Sequence, residues 1–372
     1  DGIHAMGMDT LKEEAKDWSG NVEVAVIDSG VDRDHELLQG RIDTTKSINL
    51  AEGESSAKYD DNYGHGSHVS GIITQATPSQ VKIMAVRVFD DYQMSSLTVI
   101  TMGIDYAREN HADIMNMSLG HTSPTDKELD FINDTMEKSV EEGATLFAAS
   151  GNEDNNVSTS CPANNSWTIS VGSLSLDEAN PNQYVRSWFS NYGKRLDFTA
   201  PGNNISSAWA DGSIQIVSGT SMATPHMAAA AAMVKLKHPS YNQWEIYSTL
   251  QDYTVDLGEP GKDELYGNGY VNLKDFAKEQ EASEANPKYQ SISANAVTKK
   301  TMNDVGKSFS LDAKLLKGDG NLSYSSSDQS IATVSSDGKI TVRGTGKCEI
   351  TITASKTAKY KETRRTGQVE FT

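Results

Sequence analysis

Along the first three quarters of the chain, short apolar runs alternate with longer stretches whose apolar residues recur every three or four positions. The runs 22–27, 81–88, 113–119, 144–149 and 167–171 are apolar on successive residues, the pattern of parallel strands buried on both faces. Helical periodicity fits 96–110, 124–142 and 222–237; the second has Ser123 as its candidate cap and Gly143 as its stop. This alternation predicts an α/β fold with a doubly wound, mostly parallel sheet, whose ligands gather at the carboxyl ends of the strands. After Asn286-Pro287 the period changes to two. Residues 309–311, 322–324, 331–334, 340–342 and 349–352 read as short strands, with Asp337-Gly338 as a hairpin turn. The expected division is therefore a first domain over 1–282, a linker over 283–290 and a small all-β sandwich over 291–372.

Composition sharpens this division. With 372 residues, 37% of them hydrophobic, the chain can build two cores. Its longest apolar run, 227–234, is far shorter than a transmembrane segment needs to be. The formal charge of −18 is shared unevenly: residues 291–372 carry 13 Lys and Arg against 8 Asp and Glu, the remainder 20 against 43. A first domain at −23 would repel phosphate, which argues against nucleic acid as a partner. Cys161 and Cys348 fall in different predicted domains, so no disulfide framework is expected, and Cys161 reads as a small buried apolar side chain.

Three segments carry chemistry. Ser218-Gly219-Thr220-Ser221-Met222-Ala223-Thr224-Pro225-His226 is a tight turn feeding an alanine-rich helix, with Pro225 expected near the first helical turn. Ser221 then stands where unpaired amides and the positive end of the helix dipole point outward, a place for a nucleophile or for a plain capping serine. Val24-Ala25-Val26-Ile27-Asp28-Ser29-Gly30 is an apolar strand ending in an acid. Gly64-His65-Gly66-Ser67-His68 sets a histidine at the head of a small-residue helix. Asp, His and Ser in that chain order form one of the known arrangements of the serine triad.

Together these segments resemble the subtilisin-like serine proteases, over about three quarters of the chain. The resemblance implies a doubly wound fold and a secreted enzyme made with a signal and a pro-segment, so the chain reads as a mature form. It implies that Ser221 is the nucleophile, His65 the base and Asp28 the residue orienting it; His68 and His226 are the rivals for the base, and Asp32 for the acid. Asn152, in Ser150-Gly151-Asn152, would stabilise the oxyanion with the Ser221 amide. Ser118, Leu119 and Gly120 would pair with an extended substrate, Met94 would lie on the opposing edge, and Glu153 and Ser160, with Asp154, would line the P1 pocket.

No cofactor is expected. Many subtilisins hold a tight calcium ion using an Asp shortly after the first motif and a loop after the His helix; here Leu37 takes that position and the loop shrinks to 74–79. That site is expected to be absent, while a weaker one using surface carboxylates such as Asp60 and Asp61 stays open.

Residues 325–340 resemble bacterial Ig-like domains of exported and surface proteins. The expectation is a secreted or cell-surface bacterial serine endopeptidase, a monomer acting on polypeptides, whose Ig-like module contacts a cell surface, a glycan or a host protein. The rival expectation is an adhesin or scaffold in which the protease fold is idle.

Overall fold

The computed structural model describes residues 2–51, 55–121, 124–181, 183–279, 281–282, 284–295, 299–300 and 304–371. They cluster into two compact units, Asp1–Ile246 with Tyr253–Lys278, and Tyr247–Asp252 with Glu279–Thr372.

The first unit opens with two short helices, α1 (Gly2–Ala5) and α2 (Met8–Glu14). Its sheet is built from β1 (Val22–Asp28), β2 (Ile48–Asn49), β3 (Val81–Arg87), β4 (Ile114–Met117), β5 (Thr145–Ala149), β6 (Ile169–Leu176), β7 (Tyr184–Arg186) and β8 (Phe198–Pro201). The order is β2-β3-β1-β4-β5-β6-β7, with β8 also on β6. Every pair is parallel except β6 with β7. The strands read as unbroken apolar runs because α3 (His65–Ala76) packs with α6 (Thr220–Lys237) and α4 (Leu97–Glu109) with α5 (Asp126–Glu141), each pair lying on the sheet. An antiparallel hairpin, β9 (Ile205–Ala208) with β10 (Ile214–Val217), leads into α6. Helix α7 (Gln243–Asp252), whose second half clusters with the second unit, precedes the pair β11 (Thr254–Val255) and β12 (Tyr270–Val271).

Several boundaries differ from expectation for local reasons. Apolar character continues through Leu119, but strand pairing stops at Met117, leaving Ser118–Gly120 as a loop at the carboxyl edge. Helix α5 begins at Asp126 because Thr125 and Glu128 form a capping box; Ser123, the expected cap, lies outside the described residues. Gly143 ends it as expected, with φ +102°. Helix α6 begins at Thr220, which makes Pro225 its sixth residue. The segment after β12 makes a single turn of 3-10 helix, Phe276–Lys278, while α7 has no counterpart in the expected elements. The segments leading into β8 and β12 meet around a buried carboxylate. Asp197 accepts from the Ser170 amide at 3.0 Å and Lys262 Nζ at 2.7 Å, and its carbonyl takes both the amide and Nδ2 of Asn268.

The second unit consists of β13 (Ser291–Ser293) paired with β16 (Lys314–Lys317), a sheet β14-β21-β20-β17, and a sheet β15-β19-β18. Their ranges are β14 Lys299–Lys300, β15 Ser308–Ser310, β17 Leu322–Ser326, β18 Ala332–Val334, β19 Lys339–Val342, β20 Gly346–Ala354 and β21 Thr363–Phe371. One core fills it, with Ile292, Leu311, Ile340, Ile350, Ile352 and Phe371 at its centre. Asp337-Gly338 makes the expected turn, Gly338 at φ +79°. The stretch expected as linker is not free chain to its end. Lys288 bridges Tyr360, and Gln290 is fully buried: its Nε2 donates to the carbonyls of Ser355 and Lys361 at 2.9 Å, and its Oε1 accepts from the Gly320 amide at 2.8 Å.

Gln290→Ala would strand those backbone groups away from water, at about 2–4 kcal/mol. A unit of this size should then melt about 10 °C lower, read as early loss of amide-exchange protection in β20 and β21. Protection unchanged from the parent chain would contradict this role for Gln290.

Candidate active site

Strand β1 lies between β3 and β4, where the strand order reverses, and it ends in Asp28. This carboxylate is 1% exposed. Its Oδ1 accepts from the Ser29 amide at 2.7 Å and faces His65 Nδ1 at 2.8 Å. A carboxylate there can only accept, so Nδ1 carries the ring hydrogen and Nε2 is the basic nitrogen. Asp28 Oδ2 has no hydrogen-bond partner among the described residues. His65 is the first residue of α3, and glycine is needed beside it. A Cβ on Gly66 would stand 2.2 Å from the Gly30 carbonyl oxygen, and one on Gly64, at φ +121°, would stand 2.2 Å from the Trp209 ring.

The group that holds this corner is Asp61. It is buried, not the surface carboxylate expected, and all its bonds are internal. Oδ1 accepts from Ser29 Oγ at 3.0 Å and from the amides of Tyr63 at 3.0 Å and Gly64 at 2.8 Å. Oδ2 accepts from the amide and hydroxyl of Ser67 at 2.9 and 2.7 Å. Asp61 therefore ties the end of β1 to the loop before His65 and to the unpaired amides of α3. The signal that could have found it is an acid four residues before a helix-head histidine. Asp60 does lie outward, paired with Arg33 at 2.8 Å.

Electrostatics separate the three histidines. Burial pulls the His65 pKa down, but the charge and hydrogen bond of Asp28, with the charge of Asp61, outweigh it and leave the value above the ordinary 6.5. His68 goes the other way, to about 4, because burial dominates. Its Nε2 lies 3.0 and 3.1 Å from the carbonyls of Ile205 and Gln215, so it donates there and fastens the hairpin to α3. His226 is also driven to about 4 by burial, its Nδ1 held by the Met222 carbonyl at 2.8 Å. Asp32 is farther along the turn, its amide bound by Ser67 Oγ at 2.8 Å.

Ser221 is the second residue of α6, and Pro225 shapes its surroundings. In an α-helix the amide of residue 225 would bond the carbonyl of residue 221; proline has none, so the Ser221 carbonyl is free. Ser118 Oγ donates to it at 2.8 Å, with Asn116 Nδ2 donating in turn to Ser118 Oγ at 3.0 Å. The Ser221 hydroxyl donates to the Ser118 carbonyl at 3.0 Å. Ser118 thus clamps Ser221 from two sides, a link that no local sequence pattern encodes. Asn152 follows β5 on a glycine turn. Its Oδ1 accepts from the amide and hydroxyl of Thr220 at 2.8 and 3.0 Å, which leaves Nδ2 as the outward donor beside the helix start.

The remaining candidates fall into two groups. Ser118 and Leu119 are buried and Gly120 is exposed, one after another along the loop beyond β4. The main chain of Met94 is engaged within its own loop, its amide to Asp90 Oδ1 at 2.8 Å and its carbonyl to the Asp90 amide at 3.1 Å; only its side chain, 67% exposed, is presented. Glu153 and Ser160 converge on Asn191 Nδ2, at 2.7 and 3.3 Å. Asp154 turns instead to Arg186 at 2.9 Å, so its charge is already balanced. Cys161 is buried and its thiol is pushed up to about 12 by burial, then by the charge of Glu128, which keeps it protonated and unreactive.

Residues 19–269 match the family described as subtilase, and residues 312–356 the intimin immunoglobulin-like domain. Subtilisin of Bacillus pumilus is 35% identical over 270 residues, covering 69% of this chain and 91% of that protein. Subtilisin NAT of Bacillus subtilis subsp. natto is 35% identical over 269 residues, covering 69% of this chain and 66% of the relative. The minor extracellular protease Epr of Bacillus subtilis (strain 168) is 33% identical over 266 residues, which span 68% of this chain but 38% of Epr. A crystal structure of a cold adapted subtilisin-like serine proteinase superposes with a TM-score of 0.57 at 28% identity, over 68% of this chain and 87% of that one.

Asp61→Asn turns an amide donor toward groups that themselves donate, and removes one of the charges holding the His65 pKa up. The expected outcome is a loss of about 2–4 kcal/mol in stability together with a lower titration midpoint for His65, followed by imidazole NMR. A midpoint unchanged from the parent would contradict the electrostatic role of Asp61.

Proposed function

The chain belongs to the subtilase family, and from that premise we propose that it is a secreted serine endopeptidase working through Asp28, His65 and Ser221. The observation that carries this is the 2.8 Å contact of a buried strand-end carboxylate with a helix-head histidine whose pKa is raised. As a peptide enters, the Ser221 hydroxyl turns from the Ser118 carbonyl and its proton passes to His65 Nε2 while Oγ attacks the scissile carbonyl carbon. Asn152 Nδ2 and the Ser221 amide donate to the resulting oxyanion. His65 returns the proton to the leaving amine, and water, deprotonated by the same nitrogen, releases the acyl group. Asp28 keeps the imidazole in the required tautomer throughout, and no step needs a metal or redox partner.

Substrate recognition follows from the same edges. The loop Ser118–Gly120 offers main chain to an extended peptide, and the exposed Met94 side chain bounds the opposite side. With Asp154 paired to Arg186, Glu153 is the acid left for the P1 pocket, and Asn191 already holds one of its oxygens. Export is supported by the relative described as extracellular. Among the described residues no helix is long and apolar enough to cross a membrane. The Ig-like unit serves as a spacer or binding module. An idle scaffold would have no use for a raised His65 pKa or for the Thr220 bonds that aim Asn152.

Because His65 must be neutral to accept the proton, kcat/KM on a chromogenic peptide is expected to rise with pH through a midpoint above 6.5. Asn152→Ala should lower kcat by about 10²–10³-fold with KM little changed. Failure of the parent chain to cleave unfolded protein, or an Asn152→Ala variant as active as the parent, would overturn the proposal.

A further inference from the structure

Helix α3 has a second end, and what lies there does not fit a metal ion. An α-helix leaves its last carbonyls unpaired and its C-terminus partly negative. In α3 these carbonyls, with that of the first residue of β3, converge on two cationic side chains. Arg41 Nη1 donates to the carbonyls of Thr74 at 2.9 Å and Thr77 at 3.2 Å. Its Nη2 donates to Thr77 Oγ1 at 2.9 Å and the Val81 carbonyl at 3.0 Å, and its Nε to the same carbonyl at 3.1 Å. Lys12 Nζ, from α2, donates to the carbonyls of Thr74 at 3.2 Å and Gln75 at 2.9 Å.

The cradle is thus four carbonyls and one hydroxyl, all neutral, around one guanidinium and one ammonium. Calcium takes six to eight oxygens and relies on carboxylates among them. None of the groups bound by Arg41 and Lys12 is a carboxylate, and Leu37, where the family resemblance calls for an Asp, lends only its carbonyl, to Thr74 Oγ1 at 2.9 Å. A dication entering here would meet two positive charges, and Glu13, the one anion whose charge acts on Lys12 among the described residues, is no ligand of the cradle. Burial lowers the pKa of Arg41 to about 10, still far above neutrality, so the guanidinium remains charged. Its planar fork suits several fixed oxygens at once, which a metal ion would otherwise be needed to gather.

We propose that Arg41 and Lys12 are the resident cations of this carbonyl cradle, holding the C-terminus of the His65 helix and the 74–81 loop without calcium. The inference rests on the fold alone and stands whether or not the chain is a peptidase.

The test uses the full chain carrying Ser221→Ala, so that self-digestion cannot intervene. Amide exchange across residues 72–83 and the melting temperature are measured with excess calcium and with excess EGTA, then again in the Arg41→Met variant. A bound ion at 100 times its Kd would add about 2.7 kcal/mol, which is several degrees in a unit of this size. The proposal expects exchange in 72–83 to be insensitive to calcium and protection there to be lost in Arg41→Met. A calcium-dependent gain of protection across 72–83 in the parent overturns it, and so does an Arg41→Met variant with parental protection. The calcium arm decides the matter even if that variant fails to fold.

Discussion

The Asp28–His65 side of the candidate site depends on one buried carboxylate accepting five hydrogen bonds. Asp61 gathers Ser29, Tyr63, Gly64 and Ser67, and so fixes the end of β1 against the head of α3. The 2.8 Å contact between Asp28 and His65 is a consequence of that tie, since the two residues lie on segments 37 positions apart. It also requires backbone to touch backbone, which is why Gly66 faces the Gly30 carbonyl with no room for a Cβ. A charge buried this way is tolerable because every lone pair is used, and its field reaches His65 as well.

A missing donor organises the other side. Pro225 leaves the Ser221 carbonyl without its helical partner, and Ser118, just beyond β4, supplies the hydroxyl that replaces it. The same serine holds the Ser221 hydroxyl through its carbonyl. Thr220 orients Asn152 by taking both positions on its Oδ1. The Ser221 end of α6 is therefore set by contacts from the loops just beyond β4 and β5.

The strands that were legible in the sequence were those buried on both faces, such as β1 and β3, where apolar runs have no competing explanation. The short strands β2, β7, β9 and β10 were not, because two to four residues are too few to leave a periodic trace. In β21, Arg364, Arg365 and Glu370 interrupt the alternation, and pairing with β20 overrides it. The residues Asp28, His65, Ser221 and Asn152 could be named from motif and order. Thr220 and the clamp by Ser118 could not, since each acts through a partner remote in the chain, and Asp61 left only the trace of an acid four residues before a helix-head histidine. For Met94 the sequence left open that its main chain is engaged by Asp90 and only its side chain is presented, because loop geometry settles both.

The central claim is that Asp28 and His65 activate Ser221. It is tested most directly by reacting the folded chain with a fluorophosphonate and locating the adduct by peptide mass spectrometry. The account predicts one phosphonyl group per chain, on Ser221, formed faster as His65 loses its proton and abolished in His65→Ala. No adduct on the folded parent chain, or an adduct on another serine with Ser221 unmodified, would contradict it.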